Sequence, residues 1–149
     1  MQSATMQKVK QAMGATAIRL PTYPHNDIRQ EFERTVARTS GLKLLLLSTA
    51  DGRAVSEWSA KSMDARRLAA MTNSFLTLGE TMARELDMTV ADYVTVCTPS
   101  GNMVLIRIPG SQPLTLAVLG ATELNMAVVL FAARECATRL QVLISAQKG

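Results

Sequence analysis

His25 is the only histidine in the 149 residues, and it stands before the first segment with a helical pattern. A serine or cysteine nucleophile needs a base within hydrogen-bond reach. The folded part of the chain therefore lacks the base for Ser–His or Cys–His chemistry, and His25 reads as a solvated loop residue. The two cysteines, Cys97 and Cys136, sit inside apolar runs, and no His and Cys cluster has metal-ligand spacing. They read as reduced and packed, which fits a cytoplasmic protein, with a disulfide between them as the less favoured alternative. Neither G-x-x-x-x-G-K nor G-x-G-x-x-G occurs, so the chain carries no phosphate loop of its own. Glu80, Glu85 and Asp87 read as the solvated surface of a long helix. Trp58, the only tryptophan, reads as a cover for the edge of the core, with a partner anchor as the alternative. The expectation is a chain with no catalytic residues, no metal and no cofactor, not an enzyme. Function is then to be sought in surfaces.

The elements that build those surfaces begin with a buried strand. Five of the six positions Leu42 to Leu47 are leucine, and Ala50-Asp51-Gly52 follows as a turn signal. So short and apolar a run reads as a strand buried on both faces, which requires a cover on each side. Helix one is expected over Asp27–Thr39, capped by Asn26 or Asp27, with Ile28, Phe32 and Val36 as its apolar stripe and Gly41 as its stop. Strand two, Arg53–Trp58, closes a hairpin through Asp51-Gly52. Helix two is expected over Met63–Leu86. Strands three, four and five are expected at Tyr93–Thr98, Asn102–Ile108 and Leu114–Leu119, and helix three at Leu124–Ala146, capped by Thr122 or Asn125. Phe131 is expected to pack sideways against helix one near Phe32.

Composition adds bounds. The net charge is +4, and residues 1–26 hold Lys8, Lys10 and Arg19 with no acid. The rest is nearly neutral and has no basic stripe with interleaved aromatics, so nucleic-acid binding is not expected. No stretch approaches the roughly 20 apolar residues of a membrane span, so no membrane insertion is expected. Residues 1–25 read as a flexible leader, and residues 26–147 as one folded domain.

Helix two has an apolar arc near 180°, wider than the roughly 100° needed to cover a sheet. Leu68, Met71, Phe75, Leu78, Met82 and Leu86 form one strip, which is expected to face the sheet. Gly79 within it allows close approach. Ala65, Ala69, Leu76 and Ala83 form a second strip, small enough to admit a partner helix, with helix propensity as the plainer explanation of its alanines. Asn73, Thr77, Arg66 and Arg84 lie opposite the Phe75 strip. Centring the leucine strand by pairing it with strands two and five yields the order 2-1-5-4-3. Strand three is then an edge, and its Tyr93, Val94, Thr95 and Val96 carry no charge or proline to discourage pairing. Ala69, Leu76 and Ala83 with that strand edge are the expected oligomer interface.

These features resemble the roadblock/LC7 family, the dynein light chain-like domains with bacterial MglB-like members. The resemblance rests on the leucine strand with Ala50-Asp51-Gly52, the alanine- and leucine-bearing helix two, and the strand pair around Ser100-Gly101 with Val104 to Arg107. It extends to the Leu116–Leu119 strand and the helix opening Leu124-Asn125-Met126-Ala127, where Ala127 departs from the usual glycine. It implies an α+β fold, a profilin-like three-layer α/β/α sandwich with a five-stranded antiparallel sheet. Helix two would cover one face, and helices one and three the other. It also implies a non-enzymatic homodimer that regulates or scaffolds a small Ras-like GTPase. Arg66, Arg67 and Arg84 are then candidate partner contacts at the rim, and an arginine finger in trans is one chemistry open to them. The competing reading of each is a solvated helix face. Two other functions compete: a PAS- or profilin-like small-molecule sensory domain, which needs a pocket with convergent polar groups, and a purely structural adaptor.

Overall fold

The computed structural model describes residues 22–146. The leader expected over residues 1–25 lies outside the described residues up to residue 21. Its end does not behave as a leader: α1 spans His25–Arg38, so His25 opens the helix. The Pro24 carbonyl accepts from the Ile28 amide at 3.0 Å, and no side chain caps the helix, neither Asn26 nor Asp27. Asp27 instead sits in the first turn, where its charge complements the helix dipole.

The remaining elements are β1 (Leu42–Thr49), β2 (Ala54–Ser59), α2 (Ala65–Glu85), β3 (Tyr93–Thr98), β4 (Gly101–Ile108), β5 (Leu114–Ala121) and α3 (Met126–Ala146). The five strands form one antiparallel sheet in the order β2-β1-β5-β4-β3, as the centring of the leucine strand predicts. Helix α2 lies on one face, and α1 and α3 on the other.

The pleat of β1 explains why Leu44 to Leu47 run without interruption. Leu45 and Leu47 point into the larger core with Ile28, Phe32, Leu116, Val118, Val129, Cys136 and Leu140. Leu46 points the other way, toward Ala69, Leu105 and Ala117. Alternate side chains of a strand leave opposite faces, so a strand covered on both sides is apolar at every position.

Between α1 and α3, Glu31 is 3% exposed. Its carboxylate accepts from Arg139 at 3.4 Å, and Arg139 also bonds Glu135 at 3.1 Å. Cys136 lies beside them, and burial pushes its thiol up to about 12. Cys97, expected to be packed, is exposed instead, because β3 is an edge and its half-covered faces leave the end of the strand bare. Phe131, expected to pack sideways near Phe32, is 65% exposed, whereas Phe32 is fully buried. The wheel position of Phe131 is outward once Val129, Ala133 and Leu140 face the sheet. Asn125 caps α3, its Oδ1 accepting from the Val128 amide at 2.9 Å.

Two outcomes test this packing. Gly101 has φ +152°, and a Cβ there would lie 2.5 Å from the Gly120 carbonyl oxygen. Gly101→Ala should cost at least about 1–3 kcal/mol in urea unfolding, because backbone strain and a clash with main chain add. Cys136 should resist thiol reagents at pH 8 in the native protein and react after denaturation. Its raised value also means that its stabilising contribution is intact below the ordinary thiol range and is lost as pH rises from about 9 toward 12.

Candidate interaction surface on α2 and β3

Helix α2 starts cleanly because Asp64 accepts from the Arg67 amide at 3.1 Å, an N-cap bond. It ends in a Schellman turn. Asp87 adopts φ 53°, the Met88 amide donates to the Ala83 carbonyl at 2.9 Å, and the Asp87 amide to that of Arg84 at 3.2 Å.

Its phase about the helix axis is the reverse of the expectation. Ala69 and Leu76 are fully buried and Ala83 is 6% exposed. Ala69 packs on Leu46, Leu105 and Ala117 of the sheet in its own protomer. These three residues, expected at a partner interface, are thus seated inside the protomer. Met71, Phe75, Leu78, Met82 and Leu86, expected against the sheet, are exposed by 57%, 44%, 60%, 57% and 68%. Leu68 alone of that strip touches the α2-side cluster. Small residues let the helix settle close to the strands, and Gly79 completes the approach: a Cβ there would lie 2.7 Å from Val94 Cγ2.

The sheet face under α2 also holds polar groups that the helical wheel places in solvent. Asn73 is 4% exposed. Its amide nitrogen donates to Ser48 Oγ at 2.8 Å and to the Ala69 carbonyl at 2.8 Å. Its Oδ1 accepts from Thr115 Oγ1 at 2.6 Å and from Arg107 at 3.2 Å. Arg107 donates in turn to Thr115 at 2.6 Å and pairs with Glu80 at 2.8 Å. Ser48, Arg107 and Thr115 belong to β1, β4 and β5. The sequence signal is present in the spacing: residues 69, 73, 76, 80 and 83 recur at helical intervals along one face.

The outer surface is apolar by contrast. Of the twelve large hydrophobics that stand exposed among the described residues, nine lie on α2, β3 and the loop between them. They run from Met71 through Met88 and Val90 to Tyr93 and Val96. Val94 and Thr95 are half-buried. β3 ends the strand order and has a neighbour on one side alone. Arg66, Arg67 and Arg84 are all exposed. Arg66 and Arg84 are separated by about 27 Å along the helix axis at 1.5 Å per residue, so within one protomer they do not form one contact site. Among the described residues, no three of His, Cys, Asp and Glu are grouped to hold a metal ion. No described helix is long and apolar enough to cross a membrane.

This layout of helix, hairpin, helix, three strands and helix is a known one. The Roadblock/LC7 domain family matches residues 29–119. The chain belongs to that family. Its layering is profilin-like. Roadblock/LC7 domains are in general non-catalytic and regulatory. A Roadblock/LC7 domain from Streptomyces avermitilis is 22% identical with a TM-score of 0.65, over 74% of this chain and 91% of that one. The gliding protein MglB from Thermus thermophilus is 14% identical with a TM-score of 0.73, over 85% and 95% of the two chains. An MglB with a tetrameric arrangement is 17% identical with a TM-score of 0.73, over 85% and 94%. None of the curated proteins matches the chain.

The reversed phase of α2 in this Roadblock/LC7 domain has a measurable consequence. Leu76→Ala should cost about 2–5 kcal/mol of protomer stability by leaving a cavity. Leu78→Ala, two residues on, should change it by less than about 0.5 kcal/mol. Urea unfolding at low protein concentration checks both.

Proposed function

We propose that the chain is a non-enzymatic homodimer that binds a small Ras-like GTPase as its regulator or scaffold. One observation carries the reading: the concentration of exposed apolar side chains on α2 and β3. Covering half-exposed side chains such as Phe75, Leu78 and Met82 stabilises by on the order of 1 kcal/mol each, and a contiguous apolar patch of this kind marks an interaction site.

A second copy of the chain fits this face in two ways. The free edge of β3, Tyr93 to Val96, offers unpaired main-chain groups for strand pairing. The strip Met71, Phe75, Leu78 and Met82 offers an apolar face to a second α2. This strip takes the place of Ala69, Leu76 and Ala83 in the interface. The GTPase reading rests on family membership, and the self-association of MglB in its tetrameric arrangement agrees with an assembling role. Arg66, Arg67 and Arg84 are exposed and remain candidate partner contacts, with Arg66 and Arg84 on the flank of α2 away from the Phe75 strip.

The competing sensory reading needs a polar pocket between sheet and helix. The α1 and α3 side is instead filled by fully buried Leu45, Leu47, Leu116, Val118 and Leu140. The polar groups on the α2 side are bonded to one another.

Solution mass is the test of assembly. The wild-type chain should be a dimer, and Phe75→Arg with Leu78→Arg should be a folded monomer by circular dichroism. A wild-type monomer sinks the interface. For the GTPase, nucleotide hydrolysis by Ras-like GTPases from the same organism should change when the chain is added. Binding that leaves turnover untouched makes the chain a structural adaptor, and no binding to any of them overturns the GTPase reading.

A further inference from the structure

Helix α2 has two apolar strips about 100° apart on its surface, and the sheet accepts only one of them. Burial of apolar area alone favours the strip with Met71, Phe75, Leu78, Met82 and Leu86, which carries the larger side chains. The structure seats Ala69, Leu76 and Ala83 instead and leaves the larger strip exposed. Something other than apolar area decides the phase.

The inner side of α2 carries Asn73 and Glu80 bound to the sheet, and Thr77 Oγ1 beside them also accepts from Arg107 at 3.5 Å. Asn73 fills its whole hydrogen-bonding capacity: two donor bonds at 2.8 Å and two acceptor bonds at 2.6 and 3.2 Å. Those bonds reach β1 through Ser48 and β5 through Thr115, with Arg107 of β4 tied to both Asn73 and Glu80. Ser48 is 1% exposed and Thr115 fully buried. A roll of roughly 100° that brought Phe75 onto the sheet would carry Asn73 and Glu80 away, take from Ser48 its bond to Asn73, and leave Thr115 and Arg107 bonded only to each other. Buried polar groups left unpaired are costly.

We infer that the network of Ser48, Asn73, Glu80, Arg107 and Thr115 is a rotational lock on α2. It selects the small strip for the sheet and holds the Phe75 strip outward. The network is thus a specificity device, comparable to a buried polar residue that fixes the register of a coiled coil at some cost in stability. The lock belongs to the protomer, so it stands or falls independently of the GTPase reading.

The phase of α2 can be read by a disulfide within one chain. A Cβ at residue 79 lies 4.0 Å from that of Val94, inside the roughly 3.5–4.5 Å range for a disulfide. In a full-length Cys97→Ser background, Gly79→Cys with Val94→Cys should oxidise nearly completely to a cross-linked monomer on non-reducing gels. Asn73→Leu should lower that yield several-fold while helix content is retained. Adding Phe75→Ser and Leu78→Ser should restore it, because the rolled state then loses its apolar driving force. A residue that merely stabilises the fold would not show this rescue. Full cross-linking in Asn73→Leu, or a loss that Phe75→Ser and Leu78→Ser fail to rescue, overturns the lock. Should Asn73→Leu not fold, Thr115→Val carries the same comparison and the same two outcomes decide.

Discussion

The seating of Ala69, Leu76 and Ala83 on the sheet sets the orientation of everything outward of it. Methyl-sized side chains allow a helix to lie close to strands, and at that distance Asn73 reaches Ser48 and Thr115 directly. Close approach and hydrogen bonding are therefore one arrangement, since longer side chains at residues 69 and 83 would lift Asn73 out of reach. The Gly79–Val94 approach extends the same contact to the edge strand. With the inner side of α2 settled in this way, the position of the Phe75 strip follows from helical geometry.

The two faces of the sheet do different work. The α1 and α3 side holds the larger cluster, with Phe32, Ile28, Val129 and Leu140 among its fully buried members. It has the aliphatic volume from which the protomer draws most of its stability. The α2 side has a smaller apolar cluster and a polar network next to it. A thin, partly polar interlayer is a weak source of burial but a strong source of orientation. Stability thus comes mainly from one layer, and surface presentation is determined by the other. The same division places the apolar surface on α2 and β3, since β3 lies at the end of the sheet beneath the helix that turns its large residues outward.

Much of the fold is legible in the chain. Leu42 to Leu47, broken only by Lys43, announce a doubly covered strand, since a nearly continuous apolar run has no solvated face. Asp51-Gly52, Ser100-Gly101 and Gly120 mark strand ends, and the need to centre β1 leads to the observed strand order. The start of α1 is not legible, because its cap is a proline carbonyl with no side-chain bond, which leaves no capping residue to read. The exposure of Phe131 and Cys97 escapes a reading that equates apolar character with burial, while burial depends on whether another layer reaches the position. Glu80 reads as solvated surface because its partner Arg107 is 27 residues away in the chain.

By itself the sequence determined which segments are helices and strands, the pairing order of the sheet, the membership of the family and the two apolar strips of α2. Periodicity and turn chemistry are local, and they survive without knowledge of neighbours. Only the tertiary structure decided which strip faces inward. A wheel shows that about 180° of a helix is apolar, but it does not show how near the sheet lies. Nor does it show that Ser48, Arg107 and Thr115 from three strands meet the amide of Asn73 there. That choice depends on groups distant in sequence, because only in the observed phase does Asn73 meet its partners on all three strands.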